Sequence, residues 1–391
     1  MIHRTISNKI NQLINQYPIV SIIGPRQSGK TTLVKALFPD WKYVSLEDLD
    51  MREFAQSDPR GFLSTYKEHS ILDEVQRVPG LFSYLQTKVD SIGKEGLYIL
   101  TGSFNFGLME GISQSLAGRV SIVNLLPFSL TELIDGGLAP ENLDNLLFSG
   151  LYPRIHDKKN PPNEWYADYV KTYIERDVRM ITKISDLSTF QKFIKMCAAR
   201  SGQIINLSAL GDDCGISHNT AKSWMSILES SFIIFLLKPY YKNFNKRLVK
   251  NPKLYFYDTG VLCYLLGIDN PQNLAIHSQR GHIFETWGIC ELMKGIFNRR
   301  LSENIYFWRD NAGHEIDCIF DQEGGSFIPI EFKSGETLSL DSFKGLKHWY
   351  KISDTPPQNG FLVYAGSIDQ IREYGKVLGW RSFSQKIPLE I

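Results

Sequence analysis

Two glycines separated by four residues, with a lysine and two threonines directly after the second, form the spacing in this sequence that is most specific for chemistry. The glycines permit a tight turn whose backbone N–H groups point inward around a phosphate. Lys30 can reach the β- and γ-phosphates of a nucleotide, and the Thr31 hydroxyl can hold a metal ion. The segment is therefore predicted to bind ATP and Mg²⁺. The residues predicted to contact the nucleotide are Gly24, Pro25, Arg26, Gln27, Ser28, Gly29, Lys30, Thr31 and Thr32.

Two consecutive carboxylates, Asp73 and Glu74, follow an apolar segment farther along the chain. An Asp at the end of a strand beside a phosphate loop is expected to hold Mg²⁺ through the water ligands of the ion. Glu74 is predicted to be catalytic, because a carboxylate there can orient and deprotonate the water that attacks the γ-phosphate. A solvated acidic pair that merely ends a strand is the alternative.

Two further positions could complete an ATPase site. The apolar segment Leu97–Leu100 is followed by Ser103 and Asn105, either of which could sense the γ-phosphate or cap the next helix. Ser103 is counted among the predicted nucleotide contacts. Arg119 precedes the next apolar segment. It is predicted to stabilise transition-state charge at the γ-phosphate of a neighbouring subunit, as in a homo-oligomer, and helix capping is the alternative.

The elements that must position these residues alternate in type along residues 1–150. Apolar strands separated by helical patterns predict a parallel sheet with crossover helices, and hence the α/β class. The phosphate-binding loop lies between the first strand and a helix, so that the positive end of that helix faces the phosphates. The predicted strands are Pro18–Ile23, Lys42–Leu46, His69–Leu72, Leu97–Leu100 and Val120–Leu126.

The middle of the chain, residues 151–270, is predicted to be a helical and winged-helix region. A helix-turn-helix pattern has its turn at Gly215 and a second helix capped by Ser217, and the strands Phe232–Leu237 and Leu254–Tyr257 would form the wing. The segment between these strands carries cations and aromatic rings without an acidic residue, which favours contact with DNA over a solvated hairpin tip. Its cationic and aromatic residues are Lys238, Tyr240, Tyr241, Lys242, Phe244, Lys246, Arg247, Lys250 and Lys253.

Two carboxylates and a lysine near the C-terminus lie in neighbouring predicted strands. A hairpin centred on Gly324 would place Asp317 opposite Glu331, with Lys333 on the same face as Glu331. Facing carboxylates repel each other unless a divalent cation lies between them, and an adjacent lysine suits a water nucleophile or developing phosphate charge. Asp317 and Glu331 are therefore predicted metal ligands and Lys333 is a predicted catalytic residue. An ion-paired Glu–Lys on a solvated face is the alternative.

Taken as a set, the N-terminal motifs resemble those of a bacterial and archaeal group of AAA-plus ATPases that carry a C-terminal domain of unknown function. The resemblance implies a sheet order of 5-1-4-3-2, in which the strand before Ser103 separates the Asp–Glu strand from the loop strand. The segments that carry it are Gly24–Thr32, Leu72–Arg77, Leu100–Phe104, Leu116–Val120 and Leu126–Leu130.

The C-terminal residues resemble the restriction-endonuclease-like fold with its D…E-x-K motif. Asp317, Glu331 and Lys333 match the motif, and the later strand Phe361–Tyr364 fits the same fold. The resemblance implies that Glu285, in a helical segment, is an accessory metal ligand. A retained nuclease-like fold without activity is the alternative.

Length and composition set limits on these interpretations. A chain of 391 residues is expected to form more than one domain, here an ATPase domain (1–150), a connector (151–270) and a nuclease-like domain (271–391). The net charge is +1, so affinity for nucleic acid requires a local patch. The five cysteines form no C-x-x-C pair, which argues against a zinc site or a disulfide framework and favours the cytoplasm. Neither a signal peptide nor a membrane span is expected.

These features together predict an ATP-hydrolysing protein that acts on DNA through a winged helix and a nuclease-like domain. ATP and DNA are the predicted partners, and a homo-oligomer is compatible with the predicted role of Arg119. The alternative is a nucleotide-gated switch that binds a protein partner and carries an inert nuclease-like domain.

Overall fold

A computed structural model describes residues 2–102, 114–174, 187–240, 249–322 and 326–386. Its contacts divide the chain into two compact units. The first unit comprises Met1–Phe128, Ser230–Phe232 and Phe297–Leu301, and the second comprises Ser129–Glu229, Ile233–Ile296 and Ser302–Ile391. No helix within the described ranges is long and apolar enough to cross a membrane. The predicted positions outside those ranges are Ser103, Asn105, Tyr241, Lys242, Phe244, Lys246, Arg247 and Gly324.

Five parallel strands form the sheet of the first unit. They are β1 (Ile19–Ile23), β2 (Lys42–Ser45), β3 (Ser70–Asp73), β4 (Tyr98–Gly102) and β5 (Val120–Asn124). Their order across the sheet is β2-β3-β4-β1-β5, which confirms the order implied by the resemblance. Every residue of β1, β3 and β4 is buried, as expected for parallel strands that are covered on both faces.

Helices cover this sheet and begin at well-defined caps. They are α1 (Ser7–Leu13), α2 (Lys30–Leu37), α3 (Leu49–Ser57), α4 (Pro59–Thr65) and α5 (Leu81–Ile92). The Asp48 side chain accepts backbone N–H groups at the start of α3, and the Asp58 side chain accepts one at the start of α4. Such caps satisfy donors that a helix N-terminus would otherwise leave without a partner.

The described part of the second unit begins with seven helices that accompany a small sheet. The helices are α6 (Leu130–Asp135), α7 (Leu143–Ser149), α8 (Pro153–Asp157), α9 (Pro162–Tyr169), α10 (Leu187–Ala198), α11 (Leu207–Cys214) and α12 (His218–Ser230). The strands are β6 (Gln203–Ile204), β7 (Ile234–Leu237) and β8 (Lys253–Phe256), in the antiparallel order β6-β8-β7.

The helix-turn-helix between α11 and α12 has the predicted geometry. Gly215 adopts a left-handed conformation with φ of 73° at the end of α11, a conformation that glycine reaches without steric cost. The Ser217 hydroxyl accepts the Thr220 N–H at 3.1 Å and caps α12. Trp224 of α12 packs edge-on against two phenylalanine rings of α10, which joins these two helices through a common core.

Asp258 links the short helices of the second unit to the next element, α13 (Thr259–Leu265). Its buried carboxylate caps α13 by accepting the N–H groups of Gly260 and Val261. It also accepts the Leu151 N–H at 2.7 Å and the Tyr166 hydroxyl at 2.7 Å. Four donors therefore compensate the loss of water around this carboxylate.

A mixed six-stranded sheet completes the second unit, with the order β13-β14-β12-β11-β10-β9. Its strands are β9 (Ile305–Arg309), β10 (Glu315–Gln322), β11 (Ser326–Lys333), β12 (Phe361–Tyr364), β13 (Gln370–Arg372) and β14 (Gly375–Gly379). The remaining helices are α14 (Pro271–Ala275), α15 (Arg280–Arg299), α16 (Lys344–Ser353) and α17 (Trp380–Gln385).

The register of the β10–β11 hairpin is the predicted one. Cys318 pairs with Ile330, and the following pairs keep the same register, so that partners are equidistant from position 324. Asp317 and Glu331 are the next positions along these strands, and the Phe332 N–H donates to Asp317 Oδ2 at 2.8 Å. Ile330 and Phe332 are buried in the core as predicted, but Glu331 is buried as well. The sheet is therefore covered on both faces at this point.

Candidate functional site

The loop between β1 and α2 has a backbone that only certain residues tolerate. Gly24 has a φ of 156°, and a side chain there would meet the Leu125 carbonyl, because a Cβ atom would lie 2.1 Å from its oxygen. Gly29 has a φ of 94° directly before the first residue of α2. The two glycines of the predicted motif therefore occupy positions that require glycine, as expected of a loop that wraps around a phosphate.

Lys30 is held at the same loop by backbone carbonyls. The residue is 6% exposed, and its ammonium group donates to Gly24 O at 3.0 Å and to Pro25 O at 2.8 Å. Because a lysine ammonium group has three donors and a flexible stem, it can exchange a carbonyl for a phosphate oxygen without leaving the loop. This position fits the predicted contact with the β- and γ-phosphates.

Asp73 gathers hydroxyl groups from three other elements. The Thr31 hydroxyl at the start of α2 donates to Asp73 Oδ2 at 3.1 Å, and the Tyr43 hydroxyl of β2 donates to the same oxygen at 2.7 Å. Thr101 of β4 donates to Oδ1. Burial and the Asp73 charge raise the pKa of Tyr43 well above its usual range. The two predicted Mg²⁺ residues, Thr31 and Asp73, are therefore in direct contact, and their oxygens are the ligand type that Mg²⁺ prefers.

Glu74 lies directly after β3 in a strained backbone conformation. Its φ of 56° and ψ of 42° are left-handed, a region that a residue with a side chain enters at a cost of about 1 kcal/mol or more. Gln76 Nε2 donates to Glu74 Oε2 at 2.6 Å. Such strain concentrates at functional sites, which is consistent with the predicted role of Glu74 in water activation.

Arg119 forms a two-bond ion pair within its own unit. Its Nε lies 2.5 Å from Asp90 Oδ1 and its Nη2 lies 2.8 Å from Asp90 Oδ2. The guanidinium group lowers the pKa of Asp90 through this bond. The Arg119 side chain is 32% exposed, so the group is accessible while Asp90, on α5, orients it. Its predicted action on a neighbouring subunit stays a prediction.

Arg4 contacts the phosphate-binding loop but was not among the predicted residues. It is 5% exposed, and its guanidinium group donates to the carbonyls of Ser28 at 2.9 Å and Leu126 at 2.6 Å. The guanidinium group also lies 4.8 Å from the centre of the Phe128 ring. Arg4 therefore fixes the loop backbone to the chain that follows β5. A single arginine near an N-terminus carries no motif that would have indicated this role.

A buried lysine lies among the C-terminal carboxylates. Lys253, at the start of β8, donates to Glu285 Oε1 at 2.8 Å and also pairs with Glu315. Tyr255, two residues later in β8, donates to Glu285 Oε1 at 2.6 Å. Burial alone would lower the pKa of Lys253, but the Glu285 and Glu315 carboxylates raise it above its usual range. The predicted accessory metal ligand, Glu285, is therefore neutralised by a cation of the chain itself.

The position of Lys253 corrects a prediction, because this lysine was expected in a cationic surface for DNA. It is 2% exposed and cannot contact a duplex. The prediction that Tyr240 offers a stacking surface for DNA is wrong for the same reason, because its ring packs edge-on against Tyr306 and Phe327 in the core. Lys238 and Lys250 are exposed, as predicted. Charge counts along a sequence do not show which cations fold inward.

Asp317, Glu331 and Lys333 are close together, as the hairpin register requires. Lys333 Nζ donates to Glu331 Oε2 at 2.6 Å. Burial and the neighbouring Asp317 charge raise the pKa of Glu331, and burial is also the largest cause that raises the pKa of Glu285. The structure thus places all four predicted residues in one partly buried cluster, in which Lys253 and Lys333 provide the positive charge.

Comparisons with known protein families give an independent description of the chain. Three family models match it: an AAA domain at residues 16–134, a domain of unknown function (DUF8612) at residues 140–272 and another (DUF4143) at residues 280–383. Residues 16–134 are therefore similar to an AAA domain. Its P-loop ATPase fold supports ATP binding and hydrolysis, and the predicted combination with a C-terminal domain of unknown function is confirmed.

Relatives and solved structures are similar to this chain to different extents. Uncharacterized proteins of Mycobacterium tuberculosis and Mycobacterium bovis are each 28% identical, with 94% of this chain and 86% of the relative covered. A Walker-type ATPase of Pyrococcus abyssi is 14% identical, with 68% of this chain and 96% of that chain covered and a TM-score of 0.47. AMPPCP-bound DnaA from Aquifex aeolicus is 15% identical, with 57% and 85% covered and a TM-score of 0.30.

The loop and the Asp–Glu pair generate a prediction that separates binding from turnover. Lys30→Ala should weaken ATP binding by roughly 10- to 100-fold, because it removes a charge-assisted contact with the phosphates. Glu74→Gln should keep ATP affinity and lower turnover by roughly 10²- to 10⁴-fold, because only the base is lost. Titration calorimetry and phosphate release measure the two quantities. Lys94→Ala, at an exposed lysine of the AAA domain, is the control, and equal ATP affinity in Lys30→Ala and this control would contradict the assignment.

The Arg119–Asp90 pair generates a second prediction. If Arg119 acts on a neighbouring subunit, Arg119→Ala should lower ATPase activity by about 10³-fold or more while nucleotide affinity changes little. Asp90→Ala should retain most activity, because the guanidinium group itself remains. Mixing Arg119→Ala with Glu74→Gln protein should restore part of the activity, since mixed interfaces regain an intact site. Equal losses in Arg119→Ala and Asp90→Ala, or a fully active monomer, would instead assign Arg119 to holding α5.

Proposed function

We propose that this chain is an ATP-hydrolysing AAA protein that acts on DNA. The observation that carries the ATPase assignment is the contact between the Thr31 hydroxyl and the Asp73 carboxylate. It joins the loop that would hold the phosphates to the strand end that would hold the metal, and Glu74 follows directly. A phosphate loop without a function would not require these groups to meet.

Each residue of the AAA domain has a separate task in this proposal. The N–H groups of the loop and the Lys30 ammonium group bind and orient the phosphates. Thr31 and Asp73 would hold Mg²⁺, which supplies charge neutralisation at the β- and γ-phosphates when bound. Glu74 accepts a proton from the attacking water. Arg4 keeps the Ser28 backbone in place while the phosphates change charge.

The case for DNA rests on α12 and the elements around it. The order α10, β6, α11, α12, β7 and β8, with β6 pairing with β8, is the arrangement expected of a winged helix, in which the second helix of the turn enters the major groove. One face of α12 is exposed and polar and lacks acidic residues, which suits base edges and phosphates. The exposed residues of this face are His218, Asn219, Lys222, Ser223 and Ser226.

A change on α12 tests this role. Lys222→Ala should weaken binding to duplex DNA and reduce the dependence of the binding constant on salt by about one counterion, because one phosphate contact is lost. Lys351→Ala, at an exposed lysine in α16, is the matched control. Fluorescence anisotropy with a duplex at several salt concentrations gives both quantities. If Lys222→Ala and Lys351→Ala bind DNA as the wild type does, α12 is not the DNA-binding helix.

A second candidate function is a nucleotide-gated switch with an inert nuclease-like domain. Asp317, Glu331 and Lys333 support the proposed D…E-x-K nuclease fold. However, Lys253 Nζ lies 2.8 Å from Glu285 Oε1. Lys253 thus supplies the positive charge that a catalytic metal ion would otherwise bring. Glu285 also accepts a hydrogen bond from Tyr255. These contacts favour a domain that keeps the fold but does not recruit a metal to Glu285.

Incubation of the full chain with supercoiled plasmid, ATP and Mg²⁺ or Mn²⁺ separates the two candidates. The enzyme acting on DNA should release phosphate and convert the plasmid to nicked or linear forms, and Glu331→Gln and Lys333→Ala should abolish only the nicking. The switch should release phosphate without nicking, in either metal. Nicking that persists in both variants would come from a contaminant and would count against a nuclease site at Glu331.

A further inference from the structure

A second group of metal-ligating side chains lies beside the mixed sheet and shares no residue with the carboxylate cluster. Asp310 follows β9, His314 immediately precedes β10, and His348 lies in α16. One ligand atom from each of these side chains lies within 4.8 Å of the others. Because His348 is distant in sequence from the other two residues, the fold brings the group together and no local sequence motif indicates it.

The Asp310 carboxylate is fixed by the turn that contains it. It is 4% exposed, and its Oδ1 accepts the N–H groups of Ala312 and His314, each at 3.0 Å. Its Oδ2 lies 3.0 Å from His314 Nδ1 and 3.8 Å from His348 Nε2. The backbone thus holds one oxygen and directs the other toward two ring nitrogens.

The two imidazole rings are held together by stacking. The centres of the His314 and His348 rings are 3.8 Å apart with an angle of 3° between their planes. The Trp308 ring packs against His348, with the two ring centres 5.9 Å apart. The stacking keeps a ring nitrogen of each histidine beside the Asp310 carboxylate.

We propose that Asp310, His314 and His348 bind a divalent transition metal ion, with Zn²⁺ as the representative of the class. One carboxylate and two imidazoles are ligands suited to zinc and its neighbours, whereas Mg²⁺ prefers oxygen ligands alone. The His314 side chain is 47% exposed, so water can reach the ion and complete its coordination. The cysteine pattern argues against a thiolate zinc site and does not bear on a site of one carboxylate and two imidazoles.

Occupancy of this site would have a consequence for the E-x-K strand. Gly345 lies one turn before His348 on α16, and a Cβ atom at this position would lie 2.1 Å from Glu331 Oε1. An ion held by His348 and Asp310 would cross-link α16 to the turn between β9 and β10. It would thereby fix the helix that closes over Glu331 without itself binding to Glu331.

Zinc binding by the full chain, freed of affinity tag and metal, tests the proposal. Calorimetry should detect one strong Zn²⁺ site per chain, and zinc should raise the melting temperature by mass action on the folded state. His348→Gln and His314→Gln should each weaken zinc affinity by at least about 10- to 100-fold, the loss known for removal of supporting partners of a metal. His3→Gln, at an exposed histidine outside every site described above, should bind zinc as the wild type does. Mg²⁺ binding should not differ among these variants.

Two additional measurements separate the loss of metal ligands from a loss of folding or from binding at Glu331. Co²⁺ bound to the wild type should give visible absorption bands that His314→Gln loses, which reports on coordination independently of stability. Glu331→Gln should keep the zinc affinity of the wild type. The proposal is overturned if the wild type binds no zinc, if both histidine variants bind it unchanged, or if zinc binding is lost in Glu331→Gln and kept in His348→Gln.

Discussion

The ion pair of Lys253 with Glu285 and Glu315 is the interaction on which the second unit depends. It joins a strand of the small sheet, a long helix and the mixed sheet, and both Lys253 and Glu285 are buried there. Removing one partner of such a pair costs about 3–5 kcal/mol, because the remaining charge is left buried without compensation. The constraint is mutual: the carboxylates require the lysine, and the lysine is tolerated in a buried strand only because of them.

Asp73 is also a buried carboxylate that needs compensation, but different groups provide it. Its donors are the neutral hydroxyls of Thr31, Tyr43 and Thr101, which stabilise a carboxylate without cancelling its charge. The negative charge therefore remains available to a divalent ion at the phosphate-binding loop. In the carboxylate cluster, Lys253 and Lys333 supply much of the required positive charge themselves. This difference is the physical reason that the metal site proposed at Asp73 is better supported than the one proposed at Glu331.

Most of the fold followed from rules that act over short distances along the chain. The glycine positions of the loop, the cap at Ser217 and the left-handed turn at Gly215 each depend on the conformation of a few neighbouring residues. The hairpin register could be obtained by counting outward from position 324, since antiparallel partners are equidistant from the turn. The strand order of the AAA domain came from the resemblance of its motifs, because propensity does not specify which strands are neighbours.

The sequence by itself determined the residue types that can do chemistry and the local elements that carry them. Tertiary structure decided which of these residues meet: Lys253 folds inward to Glu285, Tyr240 joins the core, Arg4 reaches the Ser28 carbonyl, and His348 stacks on His314. Each of these contacts joins residues far apart in the chain. Burial and long-range pairing depend on the packing of whole elements. Helix capping, turn geometry and hairpin register depend on a few adjacent residues, and for this reason they can be derived from sequence order.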